Sequence, residues 1–310
     1  GFIGFNFALK LLKKNYEVIG IDNFDNYYSV KLKKKRIQQL KKFKKFKFFD
    51  LDINNKIFFK KLKKYDYDHV FHFAAQAGVR YSLINPVKYI NTNILGTVNL
   101  LELVKIKKPI STFFASSSSI YGDSKKFPLF ENDSPNPKNI YASSKIINEI
   151  SAKTFSKNYN LKIYGLRFFT IYGEWGRPDM LLFKILSSAF KKTVLNLNND
   201  GKHYRDFTYI DDATEIMYLL MKTNNKIKYD VFNVCSNNPQ YIKKIINNFA
   251  KKYGKLVIKN IPKNNLDVFK THGDNKKIKK ILKFNKFTSF EKGFSNTYEW
   301  YKKYYKKLID

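Results

Sequence analysis

The sequence is poor in residue types that define several classes of protein. Its single cysteine, Cys235, cannot form an internal disulfide, which favours an intracellular location. No apolar run approaches the roughly 18 residues that are needed to span a bilayer. The 4 histidines and the cysteine show no metal-ligand spacing. We therefore expect a cytoplasmic protein with no membrane span and no metal site.

Acidic residues are also scarce, because 25 Asp and Glu stand against 59 Lys and Arg, a formal net charge of +34. Such a charge would suit a polyanionic partner such as nucleic acid. The lysines, however, are spread from Lys10 to Lys307, and KLKKKRIQQLKKFKK (31–45) would place them on a solvated helix face. Only five basic residues are arginine, the side chain preferred for specific phosphate and base contacts. We therefore expect no nucleic-acid partner, and each arginine becomes informative.

Apolar segments typical of buried strands alternate with segments typical of helices through the first half of the chain. The strand candidates are EVIGID (17–22), FKFFD (46–50), HVFHFAA (69–75), STFFASS (111–117) and LKIYGLRFF (161–169). The helix candidates cover 29–42, 54–64, 86–107 and 139–158. This alternation predicts an α/β fold with a doubly wound, parallel, Rossmann-type sheet.

The pattern becomes irregular after about Tyr172. We expect residues 1–172 to form the dinucleotide-binding domain and 173–310 to form mainly a smaller, C-terminal substrate-binding lobe. Segment 206–235 is expected to return to the main sheet through the strand-like VFNVC (231–235). The ending FTSFEKGFSNTYEWYKKYYKK (287–307) predicts a capped amphipathic helix.

The chain opens on GFIG, followed directly by a helical pattern. In a dinucleotide-binding fold, a glycine-rich turn joins the first strand to a helix whose N-terminus faces the pyrophosphate. Gly1 and Gly4, with Phe2 and Ile3 between them, match the end of that turn, so we expect the first strand to be missing from this sequence. Asp22 ends the next strand, about 20 residues on, where a carboxylate binds ribose hydroxyls and repels a 2′-phosphate. This combination predicts NAD as the cofactor.

Two further patterns carry chemistry. Tyr141 and Lys145 in YASSK are spaced i, i+4, so they share one helix face, and a lysine ammonium near a phenol lowers the phenol pKa. Tyrosine and lysine are so abundant here that this spacing alone means little. It follows, however, a strand that ends in the serine cluster of FFASSSSIYG (113–122).

Taken in order, these motifs resemble the extended short-chain dehydrogenase/reductases, a family of nucleotide-sugar epimerases, dehydratases and decarboxylases. The motifs are GFIG, IDNF, HFAAQAGVRYS, ASSSSIYG, YASSK, LRFFTIYG, GRPDM and RDFTYIDD. Within the family, AAQAGVRYS and RFFTIYGEWGRPDM are most similar to UDP-glucuronate 4-epimerases. The resemblance therefore implies NAD-dependent 4-epimerisation of a nucleotide sugar, with UDP-glucuronate converted to UDP-galacturonate through a 4-keto intermediate in polysaccharide precursor synthesis.

The resemblance also implies residue roles. Tyr141 is the catalytic base, Lys145 holds the nicotinamide ribose and tunes Tyr141, and Ser117 completes the proton network. The remaining cofactor contacts implied by the family are Gly1, Phe2, Ile3, Gly4, Asp22, Asn23, Asp50, Leu51, Ala74, Ala75 and Gln76. Relatives also form homodimers through two helices of each subunit, here expected within 86–107 and 139–158.

A 4-keto uronate is a β-keto acid that readily loses CO₂, and neutral hydroxyls that pin its carboxylate would suppress this loss. The resemblance assigns that position to Ser117, Ser118, Ser119 and Thr170, although one or two serines could simply satisfy backbone groups. Related decarboxylases carry Glu at position 119, related dehydratases carry Asp-Glu at 118–119, and neutral-sugar epimerases usually carry Asn near 170. The substrate-binding arginines expected are Arg205, on the diphosphate, with Arg177 and Arg80. The alternatives left open are an epimerase of the UDP-glucose/UDP-galactose type and a non-catalytic NAD-binding relative.

Overall fold

The computed structural model describes residues 1–223, 226–263 and 265–305, so the predicted lobe and its last helix lie partly outside the described residues. The strands are β1 (Val18–Asp22), β2 (Phe46–Asp50), β3 (His69–His72), β4 (Ser111–Ser117), β5 (Ile163–Phe168), β6 (Thr170–Tyr172), β7 (Leu195–Asn198), β8 (Tyr204–Tyr209), β9 (Tyr229–Val234), β10 (Pro239–Tyr241) and β11 (Ile258–Ile261). The helices are α1 (Phe2–Lys13), α2 (Val30–Leu40), α3 (Lys56–Leu62), α4 (Tyr81–Ile84), α5 (Pro86–Tyr89), α6 (Gly96–Lys107), α7 (Ile140–Tyr159), α8 (Leu181–Lys191), α9 (Ile210–Lys222), α10 (Ile242–Tyr253), α11 (Lys276–Leu282) and α12 (Phe290–Trp300).

Four parallel strands form the main sheet, in the order β3-β4-β5-β9. Their register pairs Ser117 at the end of β4 with Phe168 and then with Val234, so the carboxyl ends of these strands meet at one edge. β5 is buried along its whole length, as its continuous apolar pattern predicts for a strand covered on both faces. The predicted α/β fold with parallel strands is confirmed.

Strands β1 and β2 form a separate parallel pair. The edge of β1 and the edge of β3 border one cavity, and Ile19, Ile21 and Val70 pack in one apolar cluster between them. In the usual order of a doubly wound sheet, the first strand lies between these two positions. The described residues contain no strand before α1.

Helix α7 begins where the sequence provides a cap. The Asn139 side chain accepts a hydrogen bond of 2.9 Å from the Ala142 N–H, and the helix ends at Asn160 in the left-handed conformation. This start places Tyr141 in the first turn of α7, next to the carboxyl edge of the sheet. Ser289 caps the predicted C-terminal helix α12 in the same way.

The second half of the chain adds two small sheets, with orders β10-β8-β6 and β11-β7. Within the segment predicted to return to the main sheet, β9 pairs with β5 of that sheet. Strand β8 instead pairs in parallel with β6 and antiparallel with β10 in a small separate sheet. The largest apolar cluster joins α1 and β5 to α8, α9 and α10. One core is therefore shared by the two predicted domains, and their boundary at 172 stays a prediction.

Within the described ranges, no helix is long and apolar enough to cross a bilayer.

Candidate active site

A cavity of about 1530 Å³ lies along the carboxyl edge of the strands and extends to α1 and β1. All the site residues predicted from the sequence line it, with the exception of Asp50. Asp50 is exposed at the end of β2, where it pairs in register with Asp22. Its adenine-side role therefore stays a prediction, and the structure places the neighbouring Asp52 in the cavity wall instead.

The three predicted catalytic side chains converge where α7 meets β4. The pKa of Tyr141 is raised, because the effect of burial exceeds the lowering effects of the nearby Ser117 hydroxyl and of the Arg177 charge. The Lys145 ammonium lies 5.8 Å from the centre of the Tyr141 ring. The influence of Arg177 on Tyr141 was not foreseen from the sequence, because the two lie 36 positions apart and only the fold brings their loops together. The predicted effect of Lys145 on Tyr141 stays a prediction.

Lys145 is 3% exposed, and its ammonium donates a hydrogen bond of 2.8 Å to the Ala115 carbonyl of β4. This bond fixes the side chain against the last residues of the strand. Burial lowers the pKa of Lys145 to about 8, because a charged ammonium is costly in an apolar environment. The ammonium is thus still charged at neutral pH, but its charged form is less stable than it would be in water.

The N-terminus of α1 forms the opposite end of the cavity. No side chain caps this helix, so its first N–H groups remain available to an anion. The Gly1 nitrogen lies 2.7 Å from the Asp22 carboxylate, which also accepts a hydrogen bond from the Phe24 N–H. The phosphate-binding turn and the ribose-binding carboxylate expected from the sequence therefore adjoin each other. This arrangement fits a dinucleotide.

Two polar residues of this region were missed by the sequence analysis. Asp52 accepts a hydrogen bond of 2.7 Å from Asn23, which joins the loops that follow β1 and β2. Asn93 is fully buried and hydrogen-bonds to both the N–H and the carbonyl of Gln76, and also to Ser144 of α7. It thereby fixes the loop after β3 to the helix that carries Tyr141. Nothing in local sequence marks such long-range partners.

The four serines have different neighbours. The Ser116 hydroxyl donates to Glu149, and the Ser117 hydroxyl accepts from the Ser119 N–H at 3.1 Å as the cap of a 3-10 turn (Ser118–Tyr121). The sequence alternative, that one or two serines satisfy local backbone groups, therefore applies to Ser117, whereas the partner of Ser116 is a distant side chain. Ser118 and Ser119 are half-buried in the cavity wall, and Thr170 lines the same cavity.

The five arginines fall into two groups. Arg205 lines the cavity and donates to the Tyr204 and Phe269 carbonyls, and burial lowers its pKa to about 10 against the opposing charge of Asp267. Arg80 forms an ion pair of 2.6 Å with Asp267, and Arg177 forms one of 2.5 Å with Asp179. Arg205 is half-buried, and its hydrogen bonds to carbonyls leave donors of its planar guanidinium for an anion.

The other two arginines hold elements together. Arg36 is 1% exposed and donates to the Trp175 and Gly176 carbonyls, which fastens α2 to the loop that carries Arg177. The lysine-rich segment around Arg36 gave no sign of this role. Arg167 is buried in β5 and pairs with Glu149.

Among the residues that the structure describes, no group of three His, Cys, Asp or Glu side chains could hold a metal ion. His72 bonds Thr97 at 3.0 Å, and burial lowers its pKa to about 3. It is a neutral core residue at neutral pH.

The pKa of Lys145 predicts a pH-dependent stability. The folded state has a pKa of about 8 and the unfolded state one of 10.5, so the folded state binds fewer protons between these values and stability rises with pH there. Below pH 8, the cost of the buried charge is present in full, at about 3 kcal/mol for this difference in pKa. We expect the unfolding free energy of the wild type to rise by up to that amount relative to Lys145→Met between pH 7.5 and pH 10.

Urea unfolding at the two pH values measures this difference. The exposed Lys31→Met variant serves as the control and should show no such change, since its ammonium stays in water. A difference between the wild type and Lys145→Met that does not vary with pH would contradict the expectation.

Comparison with known proteins agrees with this geometry. The family model described as GDP-mannose 4,6 dehydratase matches residues 1–297. UDP-glucuronate 4-epimerase 5 of Arabidopsis thaliana is 36% identical over 327 residues, which cover 98% of this chain and 74% of that protein. An uncharacterized protein of Methanocaldococcus jannaschii is 38% identical over 313 residues, which cover 97% of this chain and 93% of that protein.

Among solved structures, UDP-glucuronic acid 4-epimerase from Bacillus cereus, in complex with UDP-glucuronic acid and NAD, is similar with a TM-score of 0.92 and 31% identity. The similarity covers 97% of this chain and 96% of that one. The resemblance predicted from the sequence motifs is confirmed: the chain belongs to the GDP-mannose 4,6 dehydratase family, within the extended short-chain dehydrogenase/reductases.

Proposed function

We propose that the protein is an NAD-dependent nucleotide-sugar 4-epimerase that interconverts UDP-glucuronate and UDP-galacturonate. One observation carries the proposal: half-buried, neutral hydroxyls of Ser118, Ser119 and Thr170 line the cavity that also holds Tyr141 and Lys145. Neutral donors bind a carboxylate without adding an acid to the site. The known activities of the Arabidopsis and Bacillus relatives support the same substrate.

The cofactor end of the site is formed by α1 and β1. The free N–H groups at the start of α1 would hold the pyrophosphate, and the Asp22 carboxylate would accept hydrogen bonds from the adenosine ribose. The same carboxylate would repel a 2′-phosphate, so the site favours NAD over NADP. When bound, NAD supplies a hydride acceptor for C4 of the sugar and later a hydride donor.

Tyr141 is the group that moves the proton. As the phenolate, it accepts the proton of the sugar 4-hydroxyl while that carbon is oxidised, and as the phenol it returns the proton when the ketone is reduced on its other face. The nearby Ser117 hydroxyl lowers the pKa of Tyr141 and would help to stabilise the phenolate. Lys145, held by the Ala115 carbonyl, would bind the nicotinamide ribose through its ammonium.

The anionic parts of the substrate are held at two positions. Arg205, which donates hydrogen bonds to two carbonyls, would bind the diphosphate through a bidentate contact. Arg80 and Arg177 have carboxylate partners in Asp267 and Asp179, so their part in substrate binding requires an exchange of partners. The serines and Thr170 would hold the uronate carboxylate so that the C5–C6 bond is not aligned with the C4 ketone, which slows loss of CO₂.

Incubation with UDP-glucuronate and NAD tests the proposal. We expect UDP-galacturonate as the product, resolved by chromatography, with little CO₂. Tyr141→Phe should lower turnover by at least about 10²-fold, the usual effect of a lost general base, and leave substrate binding little changed. Epimerisation of UDP-glucose but not of UDP-glucuronate would instead support the neutral-sugar alternative. Unchanged turnover in Tyr141→Phe would exclude Tyr141 as the base.

A serine variant tests how the carboxylate is held. Ser118→Ala with Ser119→Ala removes two donors, each worth roughly 1.5–3 kcal/mol to a charged group. Oxidation at C4 should continue, because Tyr141 and Lys145 remain. The freed carboxylate should then leave as CO₂, and the ratio of UDP-4-keto-pentose plus NADH to UDP-galacturonate should rise, as measured by chromatography and NADH absorbance. A slower reaction that forms no UDP-4-keto-pentose and no NADH would mean that the serines are structural.

The proposed enzyme is a homodimer, and one surface supports this assembly. Helices α4 and α5 pack against α7, and their outer faces expose Ile84 (77%), Val87 (64%), Ile147 (40%) and Ile150 (59%). An apolar patch of this kind is uncommon on a monomer.

We expect light scattering at micromolar concentration to give the mass of a dimer, and Ile150→Glu to give the mass of a monomer because it puts a charge in the patch. Val257→Glu changes an equally exposed residue (61%) outside these helices and should leave the dimer intact. A monomeric wild type would refute the assembly.

A further inference from the structure

A buried ion pair lies directly beneath the candidate catalytic groups. Glu149 and Arg167 are 7% and 4% exposed, and neither lines the cavity. The Arg167 guanidinium binds both carboxylate oxygens of Glu149, with Nε at 2.9 Å from Oε1 and Nη2 at 2.8 Å from Oε2. The geometry is the bidentate one that gives the strongest and most directional pairs.

Glu149 stands on the helix that carries the base. Tyr141, Lys145 and Glu149 follow each other at intervals of four residues, so the three side chains lie along one face of α7. The Glu149 carboxylate also accepts a hydrogen bond of 2.5 Å from Ser116, the residue before Ser117. The helix is thereby tied to the end of β4 at a point below Lys145.

Arg167 reaches the other half of the site. Its Nη1 donates to the Tyr121 hydroxyl at 2.8 Å, and Tyr121 closes the 3-10 turn that carries Ser118 and Ser119. The Tyr121 hydroxyl donates in turn to Asn233 of β9 at 2.7 Å. One guanidinium therefore holds both the helix of the base and the turn of the serines.

Stability alone does not account for such a pair. Two buried charges lose their hydration, and apolar residues of the same volume often give an equally stable or more stable core. Apolar contacts, however, do not fix the tilt of a helix or its height above a strand as directional bonds do. Glu149 lies eight residues from Tyr141, roughly 12 Å along the helix, so a tilt of about 5° at Glu149 would move Tyr141 by about 1 Å. A displacement of this size can lower a rate by about 10²-fold.

We propose that Glu149 and Arg167 are positioning residues that set the separation between the Tyr141 phenol and the serine turn. The proposal rests on the epimerase function argued above. It implies that the pair acts on turnover and on the ionisation of the base, while nucleotide-sugar binding at Arg205 is unaffected.

The test replaces the charges with apolar side chains of similar length. In Glu149→Met with Arg167→Met, we expect a urea midpoint close to that of the wild type, a kcat lower by at least about tenfold and a KM within about twofold. The pKa read from the pH profile of kcat should rise, because the Ser117 hydroxyl, which lowers the pKa of Tyr141, would lie farther from the phenol. Asp230→Met with Lys277→Met removes an ion pair of 2.5 Å that joins β9 to α11, and this matched control should keep the wild-type kcat.

A folded double variant with the wild-type kcat and pH profile would overturn the proposal, as would a raised KM with unchanged kcat. If the double variant does not fold, Tyr121→Phe decides, since it removes one hydroxyl and leaves the ion pair. Lower kcat with unchanged KM in Tyr121→Phe supports the proposal, and unchanged kcat overturns it.

Failure of the function itself is recognised separately, because the wild type would then not epimerise UDP-glucuronate. In that case, crystal structures of the wild type and the double variant decide. A longer distance between Tyr141 Oη and Ser117 Oγ in the variant supports the proposal, and the same distance in both overturns it.

Discussion

The contact between helix α7 and strand β4 is the interaction on which the candidate site depends. Lys145 bonds the Ala115 carbonyl and Glu149 bonds Ser116, so consecutive turns of the helix are joined to consecutive residues of the strand. Because Ser117 ends that strand, the same contact sets the distance between the base and its hydroxyl partner. The cap at Asn139 and the register of β4 with β5 then determine where the contact begins.

Charge is distributed very unevenly between the two kinds of basic residue. The abundant lysines mostly lie at the surface, whereas four of the five arginines are buried or half-buried. Arg36 and Arg167 hold elements of the fold, and Arg205 lines the cavity. A planar guanidinium with several fixed donors can join separate segments inside a protein, which a flexible ammonium does less well. The net charge of +34 therefore does not indicate where the site lies, whereas the positions of the few arginines do.

Much of the first half of the fold could be predicted, because each strand there is a short, largely apolar run, and β4 and β5 are buried along nearly their whole length. β1, β2, β4 and β5 lie within the segments expected for them or match them to within two residues. The second half of the fold was harder to predict. The sequence of β8 is typical of a strand, but its partners β6 and β10 lie in other segments of the chain, and local sequence does not identify them. The same limit applies to Asp52 and Asn93, whose hydrogen bonds cross from one loop to another.

The sequence by itself determined the fold class, the family, and the types of side chain available at the site, because these depend on local periodicity and on motifs in a fixed order. It identified Tyr141, Lys145 and the serines, all of which lie in the cavity wall or its floor. Only the tertiary structure decided their partners: that Arg80 and Arg177 already face carboxylates, that Arg177 acts on Tyr141, and that Glu149 and Arg167 lie beneath both halves of the site. Hydrogen bonds and charges act over a few ångströms in space, and residues that are tens of positions apart come within that range only after the chain has folded.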